Sequence, residues 1–215
     1  MKKLSKKNWI KFYVKTVSNT NKRPASIQKF AKKAGYKEKD FYAHFSSFEA
    51  LEEEVFVWFF KQTINLLEED AKYHEFDAKH KLMSFYFTYF EILAANRSFV
   101  HFVLKSCNQL KSNKKLKTFK KHFEHYIDSL DIKTPSFRIG QIESFLKKGT
   151  NKLAWGQFAL ILSFWMKDRS KSFEKTDVLI EKSLHTSFTI IDTAALESII
   201  DLGKFIYQDA FKNRF

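Results

Sequence analysis

Glycine and proline are nearly missing from this 215-residue sequence, with five of the first and two of the second. Both residues interrupt helices and build tight turns. Their scarcity argues against turn-rich β folds and favours long, unbroken helices. Cysteine is scarcer still, since Cys107 stands alone. An internal disulfide is therefore excluded, and a reducing compartment fits. Long apolar runs are also lacking. The longest uncharged stretch, Leu153 to Met166, has 14 residues, short of the about 18 that suggest a membrane span. It reads as a buried helix. Met1 to Lys11 alternates lysine with polar residues and has no apolar run, so no signal peptide is expected. A cytoplasmic protein without membrane association is expected.

Acidic residues are nearly absent from one end of the chain. The first 48 residues hold thirteen lysines and arginines against Glu38 and Asp40, which is +11 of the net +14. A focused basic field attracts a polyanion. Lysines paired with phosphates release condensed counterions, which makes affinity steeply dependent on salt. For Lys2 to Lys7 a solvated tail explains the charge equally well. Lys22 to Lys39 differ, because apolar residues at folded spacing interleave them. They form no single long amphipathic helix of the kind that lies on a membrane.

Phenylalanine is abundant, at 25 residues, and hydrophobic residues make up 44% of the chain. The composition is that of a folded chain with a bulky aromatic core or an apolar pocket. Trp9, Ile10, Phe12, Tyr13 and Val17 recur at helical spacing and predict a first helix of about three turns. Asn19 to Arg23 reads as a loop, Pro24 as a helix start, and Ser26 as an N-cap. A short second helix would turn Ile27, Phe30, Ala31 and Ala34 inward. Gly35 then stands where the chain needs a positive φ. A third helix, Lys37 to Phe45, would carry Phe41, Tyr42 and Phe45 on its apolar face. Two short helices joined by a tight glycine turn form a DNA-reading unit whose second helix enters the major groove.

The segment SIQKFAKKAGYKEKDFYAHFSSFEAL, Ser26 to Leu51, resembles the DNA-binding signature of the TetR family of transcriptional regulators. Ile27, Phe30 and Ala31 match its positioning helix and Ala34-Gly35 its turn. Phe41-Tyr42, His44-Phe45, Glu49 and Leu51 match the end of the recognition helix and the start of a long fourth helix. The resemblance covers about the first quarter of the chain. It implies an all-α protein with a three-helix helix-turn-helix domain over 1–48 and an antiparallel helical bundle for regulation and dimerisation over 49–215. It implies a homodimer on a palindromic double-stranded DNA operator, with repression and release by a small hydrophobic ligand. Ser26, Lys29, Lys37, Lys39, Asp40, Tyr42, Ala43 and His44 are the expected DNA contacts.

Three residues depart from the family pattern. Lys37 stands where a small capping residue is usual. Asp40 stands where a small or hydroxyl residue usually faces DNA; a carboxylate there repels phosphates, though it accepts from a cytosine amino group. Phe48 stands where a lysine usually clamps a phosphate. Either other lysines (Lys29, Lys32, Lys33, Lys39) supply the phosphate contacts, or the protein is a helical interaction module that kept the fold and lost DNA binding. The retained charge favours the first.

The rest of the chain reads as helices: Ser47 to about Tyr73, then Lys79 to Ala95, Phe99 to Leu110, Lys114 to Leu130, Phe137 to Lys147, Lys152 to Lys167, Phe173 to Ile191 and Thr193 to Lys212. Phe87, Phe90, Phe102, Phe123, Tyr126, Trp155 and Phe158 are either an ordinary aromatic core or the lining of a ligand cavity. Leu184, Phe188, Ile191, Leu196, Ile199 and Ile200 give the last two helices an apolar surface for dimerisation, or cap the monomer core. No catalytic constellation, P-loop or Gly-rich nucleotide loop occurs, so neither an enzyme nor a cofactor is expected. His122 and His125 share a helix face but lack the further ligands a metal needs. Glu52, Glu53 and Glu54 read as a solvated acidic face near a helix N-terminus.

Overall fold

The computed structural model describes residues 4–105, 110, 113–132 and 140–192, with side chains of the last stretch from 149 to 191. Every regular element in it is helical. The head comprises α1 (Lys6–Thr20), α2 (Ile27–Lys33) and α3 (Glu38–Tyr42). The body comprises α4 (Phe48–Glu68), α5 (Ala71–Glu75), α6 (Ala78–Ala95), α7 (Arg97–Leu104), α8 (Lys117–Ser129), α9 (Gly140–Lys167) and α10 (Glu174–Asp192). Short 3-10 turns at Lys114–Leu116 and Lys171–Phe173 lead into α8 and α10.

Local chemistry sets most boundaries. Serine hydroxyls cap three helices: Ser5 accepts from the Asn8 N–H, Ser26 from Lys29 and Ser47 from Ala50, which satisfies orphan donors. Pro24 lies in the loop, before Ser26 rather than inside α2. The α2 end closes as a Schellman turn. The Tyr36 N–H donates to the Ala31 carbonyl at 2.9 Å and the Gly35 N–H to that of Lys32 at 3.0 Å. Gly35 takes φ +81, the backbone state its position in the sequence predicts.

Two predicted boundaries are corrected. The fourth helix stops at Glu68 instead of reaching Tyr73, because the Asp70 carboxylate accepts from the Lys72 N–H at 3.0 Å and starts α5. The segments read as separate helices over 137–147 and 152–167 are joined from Gly140 onward in α9, residues 137–139 lying outside the described ones. Gly149 sits mid-helix there, and glycine costs only about 1 kcal/mol in a helix interior. The helix expected over Thr193 to Lys212, with Leu196, Ile199 and Ile200, lies outside the described residues, as does Cys107.

The core of the head is a cluster of rings. Trp9 meets Phe30 at 5.6 Å and Phe41 at 5.7 Å, and Tyr13 stacks on Phe48 at 5.3 Å. Phe48 is therefore a core residue, which explains an aromatic where the family signature has a cation. No linker parts head from body. Tyr13 of α1 also meets Phe99 of α7 edge-on at 6.1 Å, and Lys6 pairs with Glu54 at 2.8 Å.

The acidic run on α4 is not a solvated face throughout. Glu52 is fully buried. Its carboxylate accepts from the Tyr13 hydroxyl at 2.7 Å, from the Arg23 guanidinium at 2.9 and 3.0 Å, and pairs with the Lys115 ammonium at 3.0 Å. Arg23 also bonds Glu49, while Lys115 donates to the Val103 carbonyl at 3.0 Å. Burial opposes the Arg23 charge, and the bonds to Glu52 outweigh it, so the guanidinium pKa rises. Burial, then the Glu52 charge, raises the Tyr13 phenol far above its ordinary value and keeps its proton in place as a donor. This node ties the α1–α2 loop, α4 and the turn before α8 to one buried charge.

In the body α4 packs on α6 and α8, α8 on α9, and α10 on α6 and α9. The centre is again aromatic. Phe158 stacks on Trp155 at 5.4 Å and meets Phe119 at 5.0 Å and Phe123 at 5.3 Å, while Tyr89 stacks on Phe119 at 5.0 Å. The α9–α10 junction is held by Asp168. Its carboxylate accepts from the Ser170 amide and hydroxyl at 2.8 and 2.7 Å, and from the Thr176 amide and hydroxyl at 3.0 and 2.6 Å.

Candidate nucleic-acid interface

Alpha-helix spacing dictates the outer face of the head. With Phe30, Ala31 and Phe41 turned inward, Lys29, Lys32, Lys33, Lys37 and Lys39 are left exposed. The two acids of this region are engaged locally. Asp40, expected to face DNA, turns back along its own helix, and its Oδ2 accepts from the Lys37 N–H at 3.0 Å. It thereby supplies half of a capping box. That offsets the lack of a capping side chain at Lys37 and places its charge at the positive end of α3, where a carboxylate is favourable. Glu38 accepts from the Tyr42 hydroxyl at 3.3 Å.

The remaining predicted contacts take distinct positions. Tyr42 is 51% exposed, with its hydroxyl toward Glu38. Ala43 is exposed and is the C-cap of α3, which ends before the predicted Phe45. The His44 Nε2 meets the Leu4 carbonyl at 3.1 Å and so ties the chain ahead of α1 to the end of α3. The Ser26 hydroxyl is engaged in capping α2. Two cations outside the predicted set share this region. Lys11 and Lys15 of α1 line a recess of about 380 Å³ with Lys33 and Phe12. Their i, i+4 spacing on a helix with no acid was the available signal.

The predicted ligand residues divide between two places. Phe123, Tyr126, Trp155 and Phe158 are buried in the ring stack. Tyr126 also bonds the Tyr73 hydroxyl at 2.9 Å and the Lys81 carbonyl at 3.1 Å. Phe102 is half-buried against the core. Phe87 and Phe90 instead line a separate cleft of about 360 Å³ beside α10.

Three of the predicted dimer residues fall among the described ones. Leu184 and Phe188 are buried within the chain on the same inward stripe as Ile180, so their area is already used. Ile191 is half-buried. Among the described residues of α9 and α10, the exposed large apolar side chains are Leu153, Leu160 and Phe164 on α9 and Val178 and Ile190 on α10. Leu153, Leu160 and Leu179 line one groove of about 530 Å³ between the two helices.

His122 lies against the Phe60 ring at 5.7 Å. Burial, then the neighbouring Lys61 charge, lowers its pKa. Among the described residues no group of three or more histidine, cysteine or acidic side chains is placed to hold a metal, and no helix is long and apolar enough to cross a membrane.

No curated protein and no solved structure matches the chain. Residues 81–206 match a family model described as the tetracyclin repressor-like, C-terminal domain. That match takes in the ring-packed body from α6 through α10 and covers more than half of the sequence, so the chain belongs to the TetR family of transcriptional regulators.

Proposed function

We propose that the protein binds a palindromic DNA operator as a homodimer through α3, represses transcription there, and is released by a small ligand held in the body. The observation that carries this reading is the set of five exposed lysines on α2, on α3 and at the α3 N-cap, whose two acidic neighbours are turned to contacts within the head. Unopposed cations on a small rigid unit suit the phosphate backbone. Tyr42 and Ala43 are the proposed base-side contacts; Lys29, Lys32, Lys33, Lys37 and Lys39 are the proposed phosphate contacts. A cytoplasmic, non-enzymatic role goes with this reading.

Titration against short duplexes from the region upstream of the gene, at two salt concentrations, tests it. Tight binding with a steep salt slope is expected. Lys39→Ala is expected to weaken it by about tenfold and to flatten that slope, with Tyr42→Phe weakening it less. Equal affinity for random duplex at low salt would reject the operator and leave a helical interaction module.

Dimerisation is proposed through the exposed apolar side chains of α9 and α10. Leu160→Glu is expected to give a monomer in sedimentation without loss of helix, because it puts a charge on an apolar face that a partner would cover. An unchanged sedimentation profile would move the contact elsewhere.

A further inference from the structure

The cleft beside α10 is built unlike the rest of the protein. Its volume of about 360 Å³ lies within the range of small-molecule sites. Phe87 and Phe90 of α6, Trp165 of α9 and Phe173 of the turn before α10 supply aromatic walls. Glu91 of α6 and Asp177 of α10 line the same space. Neither carboxylate has an ion pair among the described residues, in a chain of net charge +14. Burial, then the like charges of Asp168 and Glu91, raise the Asp177 pKa.

The nearby guanidinium does not relieve them. Arg97 lies over the Trp165 and Phe173 rings at 4.6 and 4.4 Å. It donates to the Trp165 and Asp168 carbonyls at 3.2 and 3.0 Å and buttresses the wall without lining the cleft. Trp165 is 1% exposed, and its indole N–H has no partner. Ser172 and Phe173 both take left-handed backbone, at φ 49 and φ 63, a conformation unfavourable for a residue with a side chain. The Phe173 ring lies against Trp165 at 5.8 Å.

We propose that this cleft binds a small organic cation, with its ammonium group at Glu91 and Asp177 and its apolar substituents against Phe87, Phe90, Trp165 and Phe173. An ammonium neutralises two like charges and gains from the ring faces. A neutral apolar molecule would instead desolvate both carboxylates without pairing them. An anion would be repelled. This narrows the ligand of the regulatory reading, and rests on that reading only for its effect at DNA; occupancy is a property of the free protein.

The test is calorimetric titration of the full chain, without DNA, with benzyltrimethylammonium and with the neutral N,N-dimethylbenzamide. The cation is expected to bind saturably and at least about tenfold more tightly than the amide. The double variant Glu91→Gln/Asp177→Asn is expected to lose that preference while its melting temperature holds or rises, since a repulsion is removed. Both residues are exposed, and the comparison of the two ligands on the unaltered protein stands even if the variant folds poorly. No saturable binding of the cation, equal binding of both ligands, or full retention by the double variant would overturn the proposal. Cation binding with no operator binding would remove the DNA reading alone, and the reverse pattern would remove the cleft alone.

Discussion

Glu52→Ala is expected to lower the unfolding free energy by about 3–5 kcal/mol, the range for breaking a buried ion pair from one side. The reason is what remains behind. Glu52 is fully buried, and three donors converge on it: the Tyr13 hydroxyl, the Arg23 guanidinium and the Lys115 ammonium. Removing the carboxylate leaves a phenol and two cations facing a cavity from different parts of the chain. Urea unfolding at neutral pH measures the loss. A double-mutant cycle with Lys115→Met separates the pairing from simple packing. In that background the cost of Glu52→Ala is expected to shrink, because one stranded charge is gone. A loss under about 1 kcal/mol, the value of an exposed pair, would mean that the node is solvated.

Asp168→Asn is expected to cost about 2 kcal/mol at neutral pH, in line with hydrogen bonds to a charged acceptor. Burial alone would raise the Asp168 pKa. Hydrogen bonds from the Thr176 hydroxyl and from Ser170 outweigh it and bring the carboxyl down from 3.8 to about 2. A carboxyl whose folded pKa is depressed stabilises above its unfolded pKa, and that contribution disappears as pH falls through the folded one. The contribution is therefore whole above pH 3.8 and fades toward pH 2. Wild type should lose stability through that window more steeply than the variant in acid titrations of guanidinium unfolding. Parallel curves would show that the junction does not depend on the ionised group.

The sequence disclosed the head better than the body, and the reason is range. The Ser26 and Ser47 caps and the Gly35 turn are decided by neighbours three or four residues away, so spacing and residue type suffice to place them. Glu52 is the opposite case. Nothing in a run of three glutamates marks the first of them as buried until Arg23 and Lys115 arrive from distant segments. The capping role of Asp40 is legible only in part: a carboxylate three residues into a helix has its own N-terminus within reach, and that local acceptor role competes with facing outward. On α10, apolar residues lie on two faces. Composition alone does not tell the inward Ile180, Leu184 and Phe188 from the outward Val178 and Ile190. The aromatic residues likewise announced a ring-rich body, but which rings touch one another and which border open space depends on how α6, α9 and α10 cross.

The ring contact between Tyr13 and Phe99 gives the molecule the mechanics of a lever with no joint. Head and body share one continuous apolar interior. A small rearrangement among the body helices would therefore reach the far end as a change of angle, its amplitude set by the length of α4 rather than by slack in a tether.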